Sequence, residues 1–119
     1  MGKFFAKTIA TALAVLFAAY VLKGVYVEST ITALWVALVL GLLNSFIKPI
    51  LVILTIPITI ITLGLFLLVI NIIIIKWVAG LVPGFTIAAG WFTPLLFSLV
   101  VSFVASIIEA IIGSNRKES

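Results

Sequence analysis

Residues 40–71 read LGLLNSFIKPILVILTIPITIITLGLFLLVIN. The run is apolar almost throughout, yet Asn44, the Lys48-Pro49 step, Pro57 and Gly64 interrupt it before Asn71. In lipid an unpaired backbone group is expensive, so such a break survives where protein or water shelters it. A helix rises about 1.5 Å per residue and the hydrocarbon core is about 30 Å thick. Residues 50–63 would therefore make a helix of only about 21 Å, with Pro57 in its middle lacking an amide proton and displacing the carbonyl of Ile53. That stretch is not expected to cross a bilayer alone.

The rest of the chain sets the context. Of 119 residues 66% are hydrophobic and 8% charged, and the mean hydropathy is +1.54. Soluble domains are about 45–50% apolar, so the composition indicates an integral membrane protein. Cys, His and Asp are absent, which removes disulfides, thiolate chemistry, imidazole bases and the common zinc ligand sets. No nucleophile stands with a base, so neither an enzyme nor a cofactor is expected.

Spans are expected at about 4–22, 31–47, 65–82 and 95–112, with a broken segment at about 49–64, all in one membrane domain over residues 1–119. The basic start and apolar run of residues 1–20 resemble a secretory signal, but the length and the further spans suit a retained anchor. Ala6, where a myristoylation signal would carry Ser or Thr, argues against that modification.

Charge placement orients the chain. Lys3 and Lys7 open it, Lys48 follows the second span, and Arg116 and Lys117 close it, whereas residues 83–94 carry no charge. The positive-inside tendency then puts both termini in the cytoplasm, which requires an even number of crossings. The net charge of +4 is dispersed singly except at the ends, so it speaks for topology rather than nucleic acid. The expected fold is all-α: two hairpins of the same orientation, joined by a Pro-broken re-entrant or interfacial element. A weak repeat at an offset of 60 agrees, pairing Ala19 with Ala79, Gly24 with Gly84, Ile47 with Ile107, and Val25-Tyr26-Val27 with Phe85-Thr86-Ile87. Tyr20, Tyr26, Trp35, Trp77, Trp91 and Phe92 suit an outer aromatic belt, towards which Lys76 would snorkel.

Small residues recur every fourth position: Ala6, Ala10, Ala14 and Ala18; Ala33, Ala37, Gly41 and Ser45; Ser98, Ser102, Ser106 and Ala110. Such stripes let helices approach closely in lipid. The plain reading is packing within one bundle; an oligomer-specific role is the alternative. The fourth span carries Gly64, Leu68, Ile72, Lys76 and Gly80 on one row, bulky in its middle and suited to lipid or a neighbouring subunit.

Asn44 needs a partner in the membrane, and the Ile53 carbonyl or the Thr55, Thr59 and Thr62 hydroxyls are expected to supply one. Asn71 is a second polar group. Both are assigned first to holding the broken segment, with ion or solute binding as the alternative. Glu109, the acidic residue within a span, is expected to pair with Lys7 or Lys48.

The ordered series Gly41-Leu-Leu-Asn44-Ser-Phe-Ile-Lys48-Pro49, Leu54-Thr-Ile-Pro57, Leu63-Gly64-Leu65-Phe66, Ile70-Asn71 and Pro83-Gly84-Phe85 resembles the YvlD-like family. That family is catalogued as the four-transmembrane-segment phage holins of superfamily IV. The likeness spans roughly residues 5–112, and the family commonly has Arg where this chain has Lys48. The resemblance implies a multi-pass bacterial inner-membrane protein that self-associates and permeabilises the membrane. Two other functions stay open: a non-pore protein of envelope-stress type binding lipid or partners, and a small channel or transporter using Asn44, Asn71 and Thr hydroxyls. Expected partners are the bilayer, anionic lipid at Lys48, Arg116 and Lys117, and further copies of the chain.

Overall fold

In the computed structural model, which describes residues 2–118 and their side chains as far as residue 113, the chain is a helical bundle clasped at one end. The side chains of Arg116 and Lys117 therefore lie outside the described residues. Helix α1 is Gly2–Val21 and α2 is Thr30–Leu42; a π turn, Leu43–Ile47, leads into α3, Lys48–Leu54. Two short strands, β1 (Val25–Val27) and β2 (Phe85–Ile87), precede α2 and follow α5 (Phe66–Leu81). A short helix α4, Ile56–Ile61, lies between α3 and α5, and α6 covers Phe92–Glu118.

Among the described residues three helical stretches are long and apolar enough to cross a membrane: Gly2–Val21, the continuous Thr30–Leu54, and Phe92–Gly113. Helix α5 is apolar but shorter, 16 residues or about 24 Å. A multi-pass membrane protein with four apolar helices results.

Helix α1 packs most extensively on α6 and then on α2, while α5 closes the bundle against both. Ala10, Ala14 and Ala18 are fully buried on α1, and Ala33 and Ala37 are buried on α2. With no side-chain bulk at these points the backbones can approach closely. Against them pack Val15, Val36, Ile70, Ile74, Val78 and Phe97. On α6 the inward row is Phe97, Val101 and Ala105; of the serine stripe only Ser98 is buried, and Ser102, Ser106 and Ala110 are exposed.

The clasp is a two-stranded antiparallel ribbon in register Val25↔Ile87, Tyr26↔Thr86, Val27↔Phe85. Two flanking hydrogen bonds extend it, Glu28 N–H to the Gly84 carbonyl at 2.9 Å and Ala88 N–H to the Gly24 carbonyl at 2.7 Å. These bonds exchange with one another under the offset of 60, with Tyr26 and Thr86 at the centre. Gly24 and Gly84 carry matching positive φ values, 87° and 89°. Each α–turn–β–α hairpin thus has its turn at the same end of the bundle.

The interruption is shorter than the expected 49–64, and it begins later. Pro49 cannot donate to Ser45, and its ring would meet that carbonyl in a regular helix. The π turn widens the helix just ahead of the ring, with Lys48 N–H bonding the Leu43 carbonyl, and Pro49 enters the first turn of α3, where a missing donor costs least. The helix therefore continues for another seven residues past Ile47. It ends at Thr55, φ −106° and ψ 13°, two residues before Pro57. Helix α4 stops in a Schellman turn: Gly64 N–H bonds the Thr59 carbonyl at 2.8 Å and Leu63 N–H the Ile60 carbonyl at 3.1 Å. Leu63 takes the left-handed conformation there, φ 56°, with its side chain 94% exposed.

Candidate functional site

Lys7, Asn44, Lys48, Asn71 and Glu109 lie towards the end of the bundle away from the ribbon, where they line two neighbouring cavities. The inner chamber, about 40 Å³, lies between α2–α3, α5 and α6 and is lined by Leu40, Asn44, Lys48, Asn71, Ile74, Ile75, Ser98, Val101 and Ser102. The outer groove, about 410 Å³, opens between α1, the π turn and α6. Its polar wall is Lys7, Thr8, Thr11, Asn44, Ser45, Ser102, Ser106 and Glu109; Phe4, Leu42 and Phe46 supply apolar surface. Leu40, Asn44, Val101 and Ser102 border both spaces.

Local structure explains why these side chains meet. The π turn ahead of Pro49 carries Asn44 and Ser45, and one regular turn later Lys48 points towards α5. There its ammonium donates to Asn71 Oδ1 at 2.8 Å. Lysine has no acceptor, so the carboxamide oxygen must face it, leaving the Asn71 amide hydrogens for another partner. Ser98, 7% exposed, lines the inner chamber, and its buried Oγ has no hydrogen-bond partner.

Several expected contacts are replaced. Asn44 bonds neither the Ile53 carbonyl nor a threonine hydroxyl; it is exposed at the mouth of both cavities. The threonines serve their own helices instead, Thr55 Oγ1 donating to the Leu51 carbonyl at 2.7 Å and Thr62 Oγ1 to the Ile58 carbonyl at 3.0 Å. Thr59 Oγ1 is buried without a partner. Glu109 pairs with neither Lys7 nor Lys48 among the described residues: it lines the outer groove with Lys7, while Lys48 is engaged by Asn71. Pro57 and Gly64 shape the chain reversal and line neither cavity, and Ala6 and Ala110 stand outside both as well.

Sequence reasoning missed Thr8 and Thr11, which continue the groove from Lys7. Thr11, four residues after Lys7 and three after Thr8, was the available signal, since i, i+3 and i+4 positions share a helical face. It also placed Ser98, Ser102 and Ser106 on a packing stripe, whereas they line cavities.

At the ribbon end Tyr20, Tyr26, Trp35, Trp77, Trp91 and Phe92 are all exposed, and Lys76 is exposed beside Trp77. Exposed Trp and Tyr rings thus mark the ribbon end, and Lys7, Asn44, Lys48, Asn71 and Glu109 mark the other.

Comparison with known proteins agrees with this architecture. The family model described as Mycobacterial 4 TMS phage holin, superfamily IV, matches residues 2–107. The uncharacterized protein SCO3922 of Streptomyces coelicolor is 39% identical, with 92% of this chain and 95% of that protein covered. The uncharacterized membrane protein YvlD of Bacillus subtilis is 34% identical, with 74% of each chain covered. No solved structure matches. The chain belongs to this four-span holin superfamily and is a small holin-type membrane protein.

Proposed function

From that membership we propose that the protein resides in the bacterial cytoplasmic membrane, self-associates through its open polar groove, and permeabilises the bilayer once enough copies assemble. The observation that carries this reading is the groove itself. Thr11, Ser45, Ser102 and Ser106 bring hydroxyls to the side of the bundle, and hydroxyls facing hydrocarbon cost free energy unless water or another chain receives them. Copies joined through this face would gather the polar walls that a single bundle lacks.

Both termini lie on the cytoplasmic side in this proposal, with Lys3, Lys7 and Lys48 at that face and the aromatic ribbon end outside. The reversal at residues 55–65 then rests in the cytoplasmic interface, where exposed Ile60, Ile61, Leu63 and Leu65 enter the acyl boundary. Controlled expression with membrane-potential and dye-uptake readings tests the proposal. Wild-type protein should depolarise cells above a threshold amount, and Ser102→Leu with Ser106→Leu, which fills the groove, should abolish the effect while the protein still inserts. Intact membranes at high protein levels refute it.

A second reading, a protein that organises lipid without making a lesion, draws on the same exposed apolar surface of residues 56–65. Native mass spectrometry separates the two: retained anionic lipid that is lost in Lys48→Ala, in cells that stay polarised, favours the second.

A further inference from the structure

We propose that the inner chamber is a binding site for a monatomic anion of halide size. Lys48 carries a full charge into the bundle, half-buried, and its partner is a neutral amide oxygen. No carboxylate pairs with it among the described residues, and Glu109 lines the outer groove rather than this chamber. A cation held in a medium of low dielectric attracts a counter-charge far more strongly than in water.

The donors around the space match an anion rather than a cation. The Lys48 ammonium has hydrogens beyond the one given to Asn71, and the Asn71 amide keeps both of its own. Ser98, a lining residue, is more than nine-tenths buried and its hydroxyl has no partner in the protein. A buried polar group left unmatched is costly, so an occupant that accepts a hydrogen bond completes it. Asn44 and Ser102 add donors on the side of the outer groove, which gives an approach from the bundle's polar end.

Size narrows the class. A water-sized occupant needs about 10–15 Å³ of space, and the chamber offers about 40 Å³. Chloride or bromide fits within those dimensions. The site is independent of the membrane-lesion reading, because it is complete within one chain.

Chloride-35 nuclear magnetic resonance on the full chain in phosphatidylcholine nanodiscs tests the site. Saturable line broadening, displaced by bromide and unaffected by sulfate, is the expected result. Asn71→Asp keeps an oxygen against Lys48 and supplies an internal carboxylate, so it should abolish the broadening. Ser98→Ala removes one donor without adding charge and should weaken chloride about tenfold, as loss of a hydrogen bond to an ion does. Lack of saturable broadening in wild-type protein, equal displacement by sulfate, or an undiminished signal in folded Ser98→Ala or Asn71→Asp overturns the assignment. Dye uptake in cells does not enter this measurement, so a failure here is distinct from a failure of the lesion proposal.

Discussion

The Lys48 ammonium reaches Asn71 Oδ1 at 2.8 Å across 23 residues of sequence and ties the Pro49-bearing helix to α5. It joins two elements that the chain reversal at residues 55–65 would otherwise leave to apolar contact alone. A hydrogen bond to a charged group contributes about 1.5–3 kcal/mol, more than a neutral one. Asn71→Leu should therefore destabilise the bundle by about that amount, read as a lower unfolding midpoint in lipid nanodiscs. The double variant Lys48→Met with Asn71→Leu should recover part of the loss, because neither partner is then left half-buried alone.

At the opposite end, glycine substitutions should separate by position. A Cβ at Gly84 would stand 2.6 Å from Glu28 Oε2 and 3.1 Å from Thr32 Oγ1, on a backbone of φ +89°. Gly84→Ala is expected to cost about 1–3 kcal/mol and to loosen the ribbon. Gly80→Ala, with nothing within 4 Å of the new carbon, should be neutral or slightly stabilising in its helix. Amide exchange at Glu28 and Ala88, whose N–H groups bond across the ribbon, would register the difference.

Leu63 offers a change in the other direction. It occupies the left-handed position of a Schellman turn that glycine fills more easily, at a cost of about 1–2 kcal/mol for a residue with a Cβ. Its exposed side chain gains nothing from packing within the bundle. Leu63→Gly should raise the unfolding midpoint of the single chain, offset partly by the extra freedom of the unfolded glycine. If the segment anchors in the interface as proposed, vesicle-bound protein should at the same time show weaker protection of residues 60–65.

The alanine stripe of α1 predicts a steep contrast between neighbours. Ala14 is fully buried where α1 meets the bundle, while Leu13 is 50% exposed. Ala14→Leu should separate the helices and cost at least about 1–3 kcal/mol through overpacking, whereas Leu13→Ala should change bundle stability little. Thermal unfolding of both variants in one detergent checks the pair.

Much of the frame was legible from local patterns. Apolar length marked the helices, and Ala10, Ala14, Ala18, Ala33 and Ala37 occupy buried positions at helical spacing. The offset of 60 paired the turns at Gly24 and Gly84, but a fold read as all-α did not include the two-stranded ribbon centred on Tyr26↔Thr86, because three-residue strands gain their hydrogen bonds only from a distant partner. The Lys48-Pro49 step misled, because a missing donor can either end a helix or be absorbed by a widened turn, and flanking residues alone do not choose. On α6 the row Ser98, Ser102, Ser106 and Ala110 stood beside the apolar row Phe97, Val101 and Ala105, and period alone did not say which row faces inward.

The sequence by itself determined a bilayer-spanning, helix-built chain with polarised ends, because hydropathy, helix rise and proline's missing donor act over a few residues at a time. Tertiary structure alone decided that Pro49 is accommodated in a continuous helix, that Lys48 meets Asn71 rather than Glu109, and that Ser98 lines a chamber. Those outcomes depend on which groups from distant segments arrive together, and in a low-dielectric interior each charged or polar atom is governed by the nearest partner that packing brings to it.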